Sequence, residues 1–145
     1  MTALREKALH LVEDLPEENL AVLIDFLSCR TKSAIDERKK ILGEFVEALK
    51  KQYGTDLKKV ILYGSYARGD FRDYSDMDTI ILLDIDQKNL QNRRKELSDL
   101  TYDFNEKYNV EISAILESYS HYIGWQKVHP LYQNIKNDGV ILYAN

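Results

Sequence analysis

Gly64-Ser65-Tyr66-Ala67-Arg68-Gly69-Asp70-Phe71-Arg72-Asp73-Tyr74-Ser75-Asp76-Met77-Asp78 stands between two hydrophobic runs, Val60-Ile61-Leu62-Tyr63 before it and Thr79-Ile80-Ile81-Leu82-Leu83 after it. Each run has the length and β-branched content of a buried strand. The stretch therefore reads as strand, glycine turn, polar loop, strand. Gly64 can adopt the backbone angles of an abrupt turn and, lacking a Cβ, lets a ligand approach the main chain. Ser65 is placed to cap a short helix, whose free N–H groups and dipole make an anion site. Asp76 and Asp78 stand two apart at the mouth of the second strand, so their carboxylates point the same way, about 6.6 Å apart at roughly 3.3 Å rise per residue. Oxygen ligands so spaced can share one or two Mg²⁺ ions, which also hold substrate phosphates.

A Gly-Ser pair, ten residues and then Asp-x-Asp, with Ala67-Arg68-Gly69 inside the gap, resembles the signature of the nucleotidyltransferase superfamily that includes DNA polymerase β. The short chain and the Ala-Arg-Gly insert are similar to its minimal branch, the MNT domains often encoded beside HEPN toxins. A polar loop whose aspartates cap turns would account for each residue singly, but not for their joint arrangement.

With 145 residues and 44% hydrophobic content, the chain suits one domain with a normal core. A net charge of −4 and a pI near 5.4 argue against a surface for long nucleic acids, which are held by Lys and Arg that release counterions. An NTP carrying its own Mg²⁺ is compatible with that charge. The lone Cys29 cannot form an internal disulfide and suits a reducing compartment. No apolar run of membrane-spanning length and no signal-peptide pattern is present, so the expectation is a cytoplasmic protein with no membrane partner.

Leu4, Ala8, Leu11, Val12 and Leu15 recur at helical spacing, and Pro16 then restarts the chain at a position suited to a helix's first turn. Leu20, Leu23, Ile24 and Leu27 give the second helix an apolar face. Together these predict a helical hairpin from about Thr2 to Arg30, with a boundary at Thr31-Lys32-Ser33. The division is residues 1–32, the hairpin, and 33–145, the minimal nucleotidyltransferase domain. The hairpin either covers the catalytic domain, makes a homo-oligomer by pairing with another copy, or serves a separate partner, since it loosely resembles helical pieces of bacterial antitoxins. Ser33, Asp36 and Glu37 open a long helix whose stripe is Ile41, Leu42, Phe45, Val46 and Leu49, ending at Gly54.

After the second strand, Asn89 to Tyr108 reads as an amphipathic helix, with Arg93, Arg94 and Lys95 on a solvated face and a triphosphate contact as the sharper reading. Val110 to Leu116 is a third strand, with Glu111 near its start. Ser118 to Val128 suggests a helix with Ser118 or Ser120 as cap and Trp125 inward. A short helix over Leu131 to Ile135 and a strand at Val140 to Tyr143 close the chain. The Trp, Pro-x-Tyr-x-Asn and Gly-Val-x-Leu-Tyr ending is similar to that of minimal nucleotidyltransferases from toxin and antitoxin pairs. The expected fold class is α/β (α+β): a short mixed β-sheet with helices packed on one side, plus the hairpin. The strand order follows from the resemblance.

The resemblance implies transfer of a nucleotide: a hydroxyl attacks the α-phosphorus of an NTP, ATP by expectation, and pyrophosphate leaves. Asp76 and Asp78 would hold two Mg²⁺ ions. Glu111 would complete the metal site or act as base, although the family more often has Asp there, or an ordinary polar residue could stand at that strand edge. Gly64 and Ser65 would cradle phosphates, and Arg68 would either touch a phosphate or brace the loop through Asp70 or Asp73. The implied acceptor is a protein hydroxyl, a tyrosine of a cognate HEPN toxin, so that AMPylation silences the toxin. The alternatives are an antitoxin that acts by binding alone and a small-molecule, antibiotic-type nucleotidyltransferase. His10, His121 and His129 have no spacing that gathers a zinc site. The ten tyrosines are scattered without a basic stripe, as core and rim packing requires.

Overall fold

The computed structural model describes residues 2–69, 71 and 75–145, in two compact units, Met1–Lys40 and Ile41–Asn145. The first unit contains α1 (Ala3–Glu13) and the opening turns of α2 (Glu17–Tyr53). Thr2 caps α1, its hydroxyl accepting from the Arg5 N–H at 3.4 Å. The Pro16 carbonyl accepts from Asn19 and Leu20, both at 3.0 Å, and so starts α2. The boundary expected at Thr31-Lys32-Ser33 does not interrupt the backbone: α2 is one helix of 37 residues. Without Pro or Gly, those three residues cost only fractions of a kcal/mol each in a helix interior, and the helical sequences on both sides carry them through.

In the second unit the end of α2 buries Ile41, Leu42, Phe45, Val46 and Leu49, the stripe read from the sequence. Gly54, at φ 57, supplies the left-handed turn after the helix. Four strands follow: β1 (Leu57–Tyr63), β2 (Met77–Leu83), β3 (Ile112–Ser118) and β4 (Val140–Ala144). They form one sheet in the order β3-β2-β1-β4. β1 is antiparallel to both β2 and β4, whereas β3 lies parallel to β2. A mixed sheet with helices is thus the architecture, as expected. The helices between the strands are the single turn α3 (Ser65–Arg68), α4 (Gln91–Tyr108), α5 (Tyr119–Trp125) and α6 (Pro130–Asp138).

Alternation along the strands divides the core in two. Val60, Leu62, Met77, Ile81, Leu83, Ile112 and Leu116 pack with α2 and α4, and the Phe45 and Phe104 rings meet edge-on at 5.3 Å. Ile61, Ile80 and Leu82 face the other way, onto Tyr122 of α5 and Tyr132 and Ile135 of α6. The one-sided arrangement expected therefore holds for α2 and α4, while the two C-terminal helices add a smaller layer on the opposite face. Trp125, expected inward, is 53% exposed. Position 122 takes the inward place on that short helix instead. Ser118 stands at the cap of α5 but makes no capping bond; its hydroxyl meets that of Ser120 at 3.0 Å.

Two polar devices hold the layers together. The Arg93 guanidinium, expected on a solvated face, bonds Asp56 at 3.3 Å and Glu96 at 3.2 Å and lies 5.1 Å from the Tyr53 ring. It braces α4 against the end of α2 and the turn before β1. On the opposite face, Glu117 is buried, accepting from the Ser118 N–H at 2.8 Å and from the Tyr132 hydroxyl at 3.0 Å. Burial, and then the bond to and charge of Glu117, push the Tyr132 phenol up to about 12. Asn105 closes the start of the outer edge of β3, accepting from the Ile112 N–H at 2.8 Å and donating to its carbonyl at 3.1 Å.

Two measurements follow from this packing. Phe45→Ala should lower stability by about 3–5 kcal/mol in urea unfolding, because a fully buried ring leaves a cavity between α2 and α4. Tyr132 has a folded-state pKa raised above its unfolded value near 10, so its contribution is complete below pH 10 and disappears as pH rises through about 12. Unfolding series at stepped alkaline pH should show that loss in the wild type and a smaller one in Tyr132→Phe.

Candidate active site

The motif lies at one end of the sheet, where β1 runs out, the chain turns at Gly64 and β2 begins. Tyr63 and Asp78 are register partners, so the carboxylate of Asp78 stands beside the corner at Gly64. Gly64 has φ 75 and ψ −154, a backbone conformation that side chains strongly disfavour. A Cβ at this position would fall 2.5 Å from Asp78 Oδ2. The glycine thus serves two needs at once, the turn itself and the space occupied by the carboxylate.

Beyond the corner, α3 is a single turn closed by the Arg68 N–H to the Gly64 carbonyl at 3.1 Å and the Gly69 N–H to the Ser65 carbonyl at 2.9 Å. Gly64, not Ser65, occupies the cap position, and Ser65 is the first helical residue. The expectation that Ser65 caps the helix is therefore corrected. The reason is the positive φ at Gly64, which completes the turn one residue early. The first turn of a helix has no internal acceptors for its N–H groups, so this corner still presents main-chain donors. The Tyr66 ring stacks on that of Phe71 at 4.2 Å.

Asp76 is exposed just ahead of β2 and Asp78 is half-buried within it. Burial first, and then the charge of Asp76, push the Asp78 carboxyl above the usual carboxylate range, while the Arg68 guanidinium pulls it down. The pair is thus electrostatically coupled, and the Arg68 charge acts on it. Arg68 as a brace to Asp70 or Asp73 falls outside the described residues. The same Asp78 charge, after burial, raises the Tyr63 phenol to about 12.

Glu111 lies immediately before β3, one residue outside the strand predicted to contain it, and its side chain is exposed. Its carbonyl accepts from the Met77 N–H at 2.8 Å, which continues the parallel ladder and sets Glu111 level with Asp76. Ser113 is the residue paired with Asp78. Among the described residues no three His, Cys, Asp or Glu are gathered closely enough to hold an ion. The motif therefore offers two electrostatically coupled carboxylates, with Glu111 at the neighbouring strand end. Two carboxylates, with phosphate and water oxygens for the remainder, suit the ligand habits of Mg²⁺.

The sequence reading missed Tyr63 as a neighbour of the site, Arg93 as a brace and Glu117 as the partner of Tyr132. Alternation from Asp78 back across the turn could have found Tyr63. The other two depend on contacts between distant segments. A separate cleft of about 520 Å³ between α4 and β3, lined by Arg94, Thr101, Tyr102, Asn105, Ile115 and Glu117, contains no residue of the motif.

The model of the family described as "Nucleotidyltransferase domain" matches residues 42–142. The chain belongs to that family. Two Methanocaldococcus jannaschii relatives, each named "Putative protein adenylyltransferase", are similar to this nucleotidyltransferase. One is 38% identical over 107 residues, covering 72% of this chain and 96% of the relative. The other is 41% identical over 76 residues, covering 52% of each. A crystal structure from Sulfolobus solfataricus, described as that of a "putative nucleotidyltransferase", is 21% identical with a TM-score of 0.56 and covers 78% of this chain and 86% of its own. It shares the fold. Members of the family generally use an NTP and a divalent metal, and no helix among the described residues is long and apolar enough to cross a membrane.

Gly64→Ala should separate fold from activity in this enzyme. Asp78 can rotate away from the new methyl group, so the chain should stay folded, at a cost of about 1–3 kcal/mol for a backbone conformation nearly restricted to glycine. The displaced carboxylate should lower nucleotidyl transfer roughly 100-fold or more. Pyrophosphate release, read beside circular dichroism and thermal melting, measures both.

Proposed function

We propose that this nucleotidyltransferase moves AMP from ATP onto a protein hydroxyl, a tyrosine of a cognate HEPN toxin, and thereby acts as an antitoxin. The observation that carries the reading is the coupled pair Asp76 and Asp78 beside the Gly64 corner. A second carboxylate charge beside a half-buried first one is unfavourable unless a cation relieves it, and an incoming triphosphate brings a cation with it. The names of the relatives support a protein acceptor. The Ala67-Arg68-Gly69 insert, similar to that of MNT domains, supports a HEPN partner. The catalytic work is assigned to residues 33–145.

Asp76 and Asp78 would hold two Mg²⁺ ions, with Glu111 as a third ligand or as the base. When bound, such ions neutralise phosphate charge and stabilise the reacting oxygens. Gly64 and Ser65 would receive the outer phosphates on main-chain N–H groups and a hydroxyl. Arg68, whose charge already acts on Asp78, would either touch a phosphate or hold the loop. The acceptor oxygen forms its bond to the α-phosphorus as the bond to pyrophosphate breaks, and the hydroxyl proton passes to a carboxylate on that side.

The test pairs the purified protein and its toxin with ATP labelled in the α-phosphate. Label should appear on a toxin tyrosine with the wild type. It should fall by at least about 1,000-fold with Asp76→Asn/Asp78→Asn, a loss typical of removing central electrostatic groups, while the melting curve stays close to that of the wild type. A double variant that still neutralises the toxin would favour action by binding alone. Label on a small aminoglycoside-like acceptor but never on protein would favour the antibiotic-type reading.

A further inference from the structure

We infer that α2 is the contact by which two copies of this chain associate, its opening turns pairing antiparallel about a two-fold axis between Val22 and Phe26, at the height of residue 24. The first 40 residues contain no fully buried side chain among those described. All described residues of α1 are exposed, including Leu4 and Leu11. Isolated helices shorter than about 12–15 residues are marginal in water, so a helix of 11 residues with such a surface needs a cover.

α2 is apolar on two sides, not one. Leu20 and Leu23 are partly buried and share a face with Leu27. Round the helix from them, beginning at Phe26 three residues after Leu23, a second stripe runs through Glu18, Val22, Phe26 and Cys29. Val22 is 68% and Phe26 56% exposed. The Arg30 guanidinium lies 5.6 Å from the Phe26 ring and so reaches this second stripe. Val22 and Phe26 thus leave an apolar stripe outside the face of Leu20 and Leu23.

The second stripe is complementary to itself. Turned antiparallel about that axis, Val22 of one copy meets Phe26 of the other, and Glu18 meets Arg30. The acidic end of the stripe thus lies on the basic end of its mate, twice over by symmetry. The dipoles of the two helices also run in opposite directions, which is favourable. Charge complementarity of this kind selects a second copy of this chain over a partner of unrelated sequence.

Sedimentation equilibrium of the full chain, with purified protein alone, tests the pairing. The expected mass is twice 16.9 kDa. Phe26→Glu should give the single-chain mass with the circular dichroism spectrum and the melting of the sheet domain unchanged, which distinguishes lost pairing from lost folding. Glu18→Arg and Arg30→Glu should each raise the dissociation constant by about tenfold, and the double reversal should restore pairing. A wild type that stays single at tens of micromolar would overturn the inference, showing that the stripe is covered by the same chain or by a different protein. So would a dimer indifferent to Phe26→Glu, or a double reversal no tighter than either single variant.

Discussion

The site depends on a steric fit: the carboxylate of Asp78 fills the space that a side chain at position 64 would need. That fit follows from register. Because Tyr63 pairs with Asp78, the end of β1 and the start of β2 are brought side by side, and the chain leaving β1 must turn away at once. A glycine with positive φ accomplishes the turn and leaves the opening. A register slip of one residue would send Asp78 to the α2 face and bring Met77 to the corner. The pattern of buried residues forbids it, since Met77, Ile81 and Leu83 belong among the side chains of α2 and α4.

Burial of both sheet faces is what makes this register firm. β2 is central in the sheet, paired on both sides, and its five residues from Thr79 to Leu83 are all buried. An exposed sheet face would have tolerated polar substitutions and sliding. Here α5 and α6 cover Ile80 and Leu82, while α2 and α4 cover Ile81 and Leu83. Asp78 thus projects from, and Asp76 stands just ahead of, a strand whose other side chains leave it no freedom to shift. The Glu117–Tyr132 bond anchors the C-terminal layer to β3, so the closing motif Pro130-x-Tyr132-x-Asn134 gains a physical role in the fold.

The motif, its flanking strands and the stripe of α2 were legible because each is a local pattern. Period-two burial, period-3.6 burial and a glycine before a polar loop can be read within a dozen residues. The continuity of α2 through residues 31–33 was not legible, because weakly unfavourable residues decide nothing without their neighbours' contribution. Trp125 was misplaced for a similar reason: a helix of seven residues has too few turns for its inward face to be told from sequence. Arg93 read as solvated because Asp56, its partner, lies 37 positions away. Asp76, Asp78 and Gly64 were found by spacing, whereas the coupling of Asp78 to Arg68 and Tyr63 required the fold.

The electrostatics separate two accounts of the aspartates. Carboxylates that cap turns are stabilised by the N–H groups they accept from, and such bonds draw their pKa downward. Asp78 is displaced in the opposite sense, by burial and by Asp76, with Arg68 only partly offsetting them. Burial and the charge of Asp76 thus favour the neutral form of Asp78, and the Arg68 charge opposes them. The same chain satisfies its other buried carboxylate, Glu117, with two donors. That contrast within one sheet is what the proposed role of Asp78 in holding a metal-bound triphosphate would require.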